Sequence, residues 1–163
     1  MEGVALRAGV SKETLYRWWH SKTDVLLEAV GEYGEQAISI PATGSLTRDL
    51  RIFMRETAAA LDPSTRRILR TLAAGAAADA GAASKVRDQF LSRRRAALAA
   101  VLQPAVARGE LPAEPSIAIL LDLVFGSLWY RLIFATGPLD QDWADAVTGA
   151  ITSLACHVQS RHG

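Results

Sequence analysis

Apolar residues recur at helical spacing along almost the whole chain, and no useful stretch alternates between apolar and polar residues as a half-buried strand does. The spacing predicts a long helix from about Lys22 to Ile38, which ends before Pro41. Ser21-Lys22-Thr23-Asp24 has the pattern of a capping box that opens this helix. A second, very regular stripe between Leu46 and Leu61 predicts the next helix. The pattern therefore predicts an all-α fold with about eight helices.

The middle of the chain is less regular because small residues dominate it. Residues 65–83 are rich in alanine and glycine, and they predict a helix with a ragged end near Gly81. A longer helix is predicted from about Val86. Pro104 predicts a kink in it, since proline removes a backbone donor, and Gly109 predicts its end.

Residues 117–135 are apolar almost all round, so this helix must be buried on several sides. Gly137-Pro138 predicts its end, and Asp140 is placed to cap a final amphipathic helix.

A helix that is apolar on every side needs more neighbours than one small bundle offers, and pairing between two copies supplies them. We expect a homodimer formed through residues 117–136 and 140–158. A buried central helix in a monomer is the alternative. A membrane span is disfavoured because Asp122 and Arg131 interrupt the apolar run.

Residues 4–24 predict two short helices around a tight turn. Gly9 suits the left-handed position that ends a helix, and Ser11 can cap the helix that follows. Leu15 and Trp19, one turn apart, bury the second helix against the first. This is the pattern of a helix-turn-helix, whose second helix enters the DNA major groove. A structural helical hairpin with solvated charges is the alternative.

The opposite side of the second helix carries side chains that suit DNA. Lys12, Glu13 and Arg17 are the candidates for base edges, because Arg or Lys reads guanine and Glu accepts from cytosine. Hydroxyl and ammonium groups are expected on phosphates, where they position the helix. The candidate DNA contacts from the pattern are Ser11, Lys12, Glu13, Thr14, Tyr16, Arg17, His20 and Lys22.

The segment GVSKETLYRWWHSKTDVL resembles the recognition helix and following turn of the TetR family of bacterial one-component repressors. The match covers Gly9-Val10-Ser11-Lys12, Thr14-Leu15-Tyr16, Trp19 and Ser21-Lys22. Residues 108–151 are more loosely similar to the ligand-binding half of many members.

The resemblance implies a homodimeric cytoplasmic repressor that binds a double-stranded DNA operator and responds to a small apolar ligand. The ligand would move the helix that begins at Lys22 and so change the spacing of two DNA-binding heads. The resemblance also implies a backbone contact for Trp18, although that side chain can equally pack within the protein.

Family members normally carry a further helix before the position of Val4, whereas the chain as given begins at Met1. We therefore expect the first helix of the DNA-binding domain to be missing and DNA affinity to be weak or absent. The predicted domains are 1–38, a partial helix-turn-helix domain with its connecting helix, and 39–163, a ligand-binding and dimerisation domain. The alternative is a helical ligand-binding and dimerisation module without DNA binding of its own.

Composition adds the charge distribution. The 163 residues are 50% hydrophobic and carry a net charge of only +1. Residues 44–109 hold twelve Arg/Lys against five Asp/Glu, whereas residues 110–163 hold two against six. The acidic, apolar final third therefore suits self-association or ligand binding better than DNA. The single Cys156 excludes an internal disulfide and is compatible with a reducing cytoplasm.

A small-molecule pocket can be built only from scattered aromatic and sulfur-containing residues. Aromatic stripes at helical spacing belong more often to a core than to a ligand site, so only the resemblance favours a pocket. The candidates are Phe53, Met54, Phe90, Phe125, Trp129 and Tyr130.

Two further patterns do not indicate a functional site. The run Arg93-Arg94-Arg95 fans over more than half a helical turn, so we expect a solvated face rather than a nucleic-acid patch. The histidines do not cluster with Cys156 at a metal-ligand spacing, and no nucleophile elbow or phosphate-binding glycine loop occurs. We therefore expect no enzyme activity, no metal and no cofactor.

Overall fold

The computed structural model describes residues 19–112 and 114–159, with the side chains of 154–159 outside that description. The described residues form α-helices and one π-helical segment, and none of them lies in a strand, so the predicted all-α class is confirmed. The elements are α1 (Lys22–Ala37), α2 (Leu46–Ala60), α3 (Pro63–Ala78), α4 (Ala80–Lys85), the π-helical segment (Val86–Leu91), α5 (Ser92–Ala107), α6 (Ile117–Phe134) and α7 (Gln141–Gln159). The predicted helix-turn-helix, apart from Trp19 and the residues that follow it, lies outside the described residues.

The N-terminal caps predicted at Ser21 and Asp140 are confirmed, whereas the cap predicted at Ser11 lies outside the described residues. The Ser21 hydroxyl oxygen accepts a hydrogen bond from the backbone N–H of Asp24 at 3.2 Å at the start of α1. The Asp140 carboxylate accepts one from the backbone N–H of Trp143 at 3.0 Å at the start of α7. Each cap satisfies a helix donor that would otherwise lack a partner, which contributes about 1 kcal/mol.

The alanine-rich stretch ends earlier than predicted. α3 stops at Ala78, and Asp79 starts the short helix α4 by accepting from the backbone N–H of Ala82 at 2.7 Å. The following helix is also not uniform, since Val86–Leu91 is π-helical before α5 continues through Pro104.

The end of α6 also differs from the prediction. The helix stops at Phe134, and Ala135 takes the left-handed conformation that closes it, at φ 53°. Gly137 allows the Arg131 side chain to approach the loop closely, because a Cβ on Gly137 would lie only 3.0 Å from the Arg131 Nη1 atom. That Nη1 donates to the carbonyl oxygen of Pro138 at 2.7 Å, so the loop is held against the helix.

The core lies around α2, which packs against α1, α5 and α7. Phe53 and Met54 of α2 and Leu98 and Leu102 of α5 are almost completely buried. Burying an apolar side chain of this size stabilises the fold by about 1.5 to 3 kcal/mol. These two helices therefore form the rigid centre against which the remaining helices are placed.

Candidate functional site

A cavity lies where α1, α2, α3, α5, α6 and the π-helical segment meet. It holds about 60 Å³ that water can enter, within about 550 Å³ of space not filled by atoms when its mouth is included. Its lining is mostly apolar, and the helix α1 supplies Val30, Tyr33 and Gly34 to one wall. This arrangement is typical of a site for a small apolar molecule.

Three of the six predicted pocket residues meet in this cavity. Phe90 from the π-helical segment and Phe125 and Trp129 from α6 all line it. Phe125 and Trp129 are four residues apart, so they lie on one side of α6.

The structure does not bring the other three residues to the cavity. Phe53 and Met54 are 1% and 0% exposed and fill the core beside it. Tyr130 is 58% exposed, with its ring centroid 5.5 Å from that of Phe134. Successive residues of a helix project about 100° apart, so Tyr130 leaves the side of α6 on which Trp129 lies.

Arg94 also lines the cavity, and the expectation of a solvated arginine face is wrong for this residue. Its side chain is only 8% exposed, whereas Arg93 is exposed and Arg95 donates to Asp122 at 2.6 Å. Successive residues of a helix project about 100° apart, so three arginines in a row cannot all face solvent, and one of them points to the core. The sequence could have indicated the burial of Arg94, because Arg94 is four residues from both Phe90 and Leu98, and residues four apart lie on the same side of a helix.

The Arg94 guanidinium has few partners for a buried cation. Its Nη1 donates to the carbonyl oxygen of Gly34 at 3.2 Å, and its Cζ lies 5.6 Å from the centroid of the Phe53 ring. Its Nη2 is buried and has no hydrogen-bond partner among the described residues. Burial lowers the pKa of Arg94, and the charge of Glu35 only partly opposes this.

Two of the predicted DNA contacts, His20 and Lys22, are described, and both are exposed at the start of α1. The others, Ser11, Lys12, Glu13, Thr14, Tyr16, Arg17 and Trp18, lie outside the described residues.

The start of α1 is held by two side-chain contacts. The Trp19 indole N–H donates to Glu28 at 2.7 Å, and Asp24 pairs with Lys85 of α4 at 2.6 Å. Burial raises the pKa of Asp24, but the hydrogen bonds from Lys85 and Ser21 and the Lys85 charge together lower it.

α6 leaves a continuous apolar face uncovered. Ile119, Leu123 and Tyr130 are 49%, 60% and 58% exposed, and Ile133 and Phe134 extend the same stripe. Within the described residues α6 is long and apolar enough to cross a membrane, a test that core helices of soluble proteins also pass. A patch of this kind marks an interaction surface.

Comparison with known proteins gives matches at several levels. A family model described as "Tetracyclin repressor-like, C-terminal domain" matches residues 40–151. The uncharacterised HTH-type transcriptional regulator YdeS of Bacillus subtilis is 28% identical over 155 residues, covering 94% of this chain and 78% of its own. An uncharacterised HTH-type regulator of Mycobacterium tuberculosis is 32% identical over 151 residues, covering 90% of this chain and 72% of its own.

A solved structure agrees with these sequence matches. The crystal structure of the TetR family transcription regulator SCO0332 superimposes with a TM-score of 0.83 at 30% identity, covering 94% of this chain and 85% of that one. Fold and cavity define an all-helical protein with an internal apolar site. The chain belongs to the TetR family of helix-turn-helix transcriptional regulators.

Proposed function

We propose that this regulator is a homodimeric, cytoplasmic repressor that releases or engages its operator when a small apolar ligand enters the cavity. One observation carries the proposal: the cavity wall includes Val30, Tyr33 and Gly34 of α1. α1 begins at Lys22, the last of the residues predicted to contact DNA. A ligand that displaces α1 therefore moves the segment proposed to bind the operator.

The size of the cavity gives this coupling its physical basis. Ligand pockets usually measure about 300 to 1,000 Å³, whereas water can enter only about 60 Å³ here. The lining must therefore move apart when a ligand binds. Such a ligand binds the protein with a widened cavity more tightly than the protein with a narrow one. The difference between these two affinities sets how far the ligand shifts the equilibrium between the two positions of α1.

The proposed DNA-binding part is residues 1–38, with the remaining residues as the ligand-binding and dimerisation body. Lys22 lies in the first turn of α1, where the helix dipole disfavours a cation. A DNA phosphate held jointly by the free N–H groups of this turn and the Lys22 ammonium would remove that conflict. The nine residues predicted from the sequence to contact DNA are retained in this proposal.

The dimer is proposed to form through the uncovered face of α6 together with α7. Gly126 lies between Leu123 and Tyr130 on that face, and a Cβ there would meet nothing within 4 Å. A partner helix could therefore approach closely at this point. A two-fold axis through the face would present two heads to half-sites about 34 Å apart.

Salt-dependent DNA binding tests the proposal. Fluorescence anisotropy with a random double-stranded DNA library, at low and moderate salt, should show weak affinity that falls as salt rises, because phosphate contacts release counterions. Lys22→Met should reduce the slope of log affinity against log salt by about 1. Arg67→Met is the matched control, since Arg67 is exposed on α3, away from the start of α1.

The rival function predicts a different result. A ligand-binding and dimerisation module without DNA binding of its own would show no salt-dependent affinity at low salt, even in a version extended by an N-terminal amphipathic helix that completes the head. An equal reduction of the slope by Lys22→Met and Arg67→Met would also contradict the assigned contact.

A further inference from the structure

We infer that the cavity ligand is an apolar monocarboxylate whose carboxylate pairs with the Arg94 guanidinium. The inference rests on the proposed function, because it names the ligand class of the proposed site. It goes beyond a merely apolar ligand by assigning one end of the molecule a charge and a partner.

The Arg94 guanidinium is buried without a counter-charge. Arg94 lines the cavity at 8% exposure, and its Nη2 has no hydrogen-bond partner within the described part of the chain. Buried donors are nearly always satisfied, and a buried cation without a counter-charge is costly. A buried guanidinium with an unpaired Nη2 and no ion pair, in the wall of a ligand site, is therefore best explained by a ligand that supplies the missing partner.

The acidic residues that face the neighbouring arginines pair with those arginines and not with Arg94. Glu35 lies 3.4 Å from Arg93, and Asp122 accepts from Arg95 at 2.6 Å. Among the described residues, no carboxylate lies within ion-pairing distance of Arg94. Arginine presents five donors in a planar fork that matches the two oxygens of a carboxylate. Water entering the cavity can solvate the fork, but it brings no negative charge.

The remainder of the cavity lining suits the uncharged part of the ligand. Around Arg94 the lining consists of aromatic and aliphatic side chains, among them Phe90, Phe125, Leu128 and Trp129. Tyr33, Thr57 and Thr65 add hydroxyl groups, of which that of Thr57 already donates to the carbonyl oxygen of Phe53 at 2.8 Å, and none of the three carries a charge. The lining therefore favours a hydrocarbon body, and Arg94 supplies the one charged end.

The hydrogen bond from Arg94 to Gly34 connects this charge recognition to α1. A carboxylate that pairs with the unpartnered Nη2 attracts the whole guanidinium, and the Nη1 hydrogen bond transmits that pull to Gly34. The anionic end of the ligand would therefore act on the helix that leads to the DNA-binding segment.

Matched acids and neutral molecules test the inference on the intact chain. Binding of decanoate, methyl decanoate and decanol is measured by calorimetry at pH 7.5, with naphthoate and naphthalenemethanol as an aromatic pair. The acids should bind at least about tenfold more tightly than their neutral partners, since a charge-assisted pair is formed only by the acid. Arg94→Met should abolish this preference while retaining affinity for decanol.

The controls separate charge from fold. Arg93→Met removes the same charge from the neighbouring position and should leave the preference for acids unchanged. Circular dichroism checks that Arg94→Met folds. If the variant does not fold, the comparison of decanoate with methyl decanoate on the unsubstituted protein still tests the inference. Equal affinity for acid, ester and alcohol would overturn the inference while leaving the apolar site in place. A lack of binding by all five probes would overturn both the inference and the proposed apolar ligand site.

Discussion

Arg94 donates a hydrogen bond to the backbone carbonyl oxygen of Gly34 at 3.2 Å, which joins α5 to the last turn of α1. A Cβ on Gly34 would lie 3.6 Å from the Arg94 Nη1 atom, which is an ordinary van der Waals distance. Arg94 thus lines the cavity and also contacts the C-terminal end of α1. α1 is the helix that connects the cavity to the predicted DNA-binding segment.

Replacing Arg94 by methionine should change the free energy of unfolding by less than about 1 kcal/mol, because an apolar side chain of similar length avoids the desolvation of a buried charge. Arg94→Ala should lower it by about 2 to 3 kcal/mol, because most of a buried side chain is removed and a cavity is left in its place. Urea unfolding measures both. Equal losses in the two variants would show that the charge itself stabilises the fold.

Trp129 and Tyr130 are adjacent in sequence but should affect different properties. Trp129→Ala removes apolar contact area from the cavity and should weaken decanoate binding by about tenfold without changing dimerisation. Tyr130→Ala should weaken the dimer and leave decanoate binding unchanged, because Tyr130 is exposed on α6. Calorimetry and sedimentation velocity measure the two effects. A Trp129→Ala effect confined to thermal stability would identify that side chain as core.

Leu123→Glu should convert the protein to a monomer at micromolar concentration. The two-fold axis of the proposed dimer places two buried carboxylates in one interface, which raises the dissociation constant by at least about 100-fold. Light scattering after size exclusion measures the mass. Ile40→Glu is the control, since Ile40 is 53% exposed but lies outside α6. A dimer that survives Leu123→Glu would place the interface elsewhere.

The ion pair between Asp24 and Lys85 predicts a pH dependence of stability. The folded state lowers the pKa of Asp24 from its usual 3.8. This contribution is therefore present above about pH 3.8 and is lost as the pH falls through the lowered value. At pH 6, Lys85→Met should reduce the free energy of unfolding by about 1 kcal/mol. The difference from the unsubstituted protein should shrink below pH 3.8; a constant difference would assign the loss to the Lys85 stem.

The sequence alone determined what depends on neighbours along the chain. The helical class follows from apolar spacing, and the Ser21 and Asp140 caps follow from a side-chain oxygen placed before a helix. The family resemblance came from spacings within residues 9–26, and the family assignment agrees with it. Phe90, Phe125 and Trp129 could be proposed as a group because they are aromatic, although their meeting could not be derived from spacing.

The tertiary structure decided what depends on contacts between distant segments. Arg94 and its two neighbours are chemically identical, and only the packing of α5 against α1 and α2 makes one of them a buried cation. In the same way, Trp129 lines a cavity while Tyr130 does not, because neighbouring helices cover one side of α6 and leave the other bare. Local patterns fix which faces a helix has, but burial is set by whichever helix packs against each face.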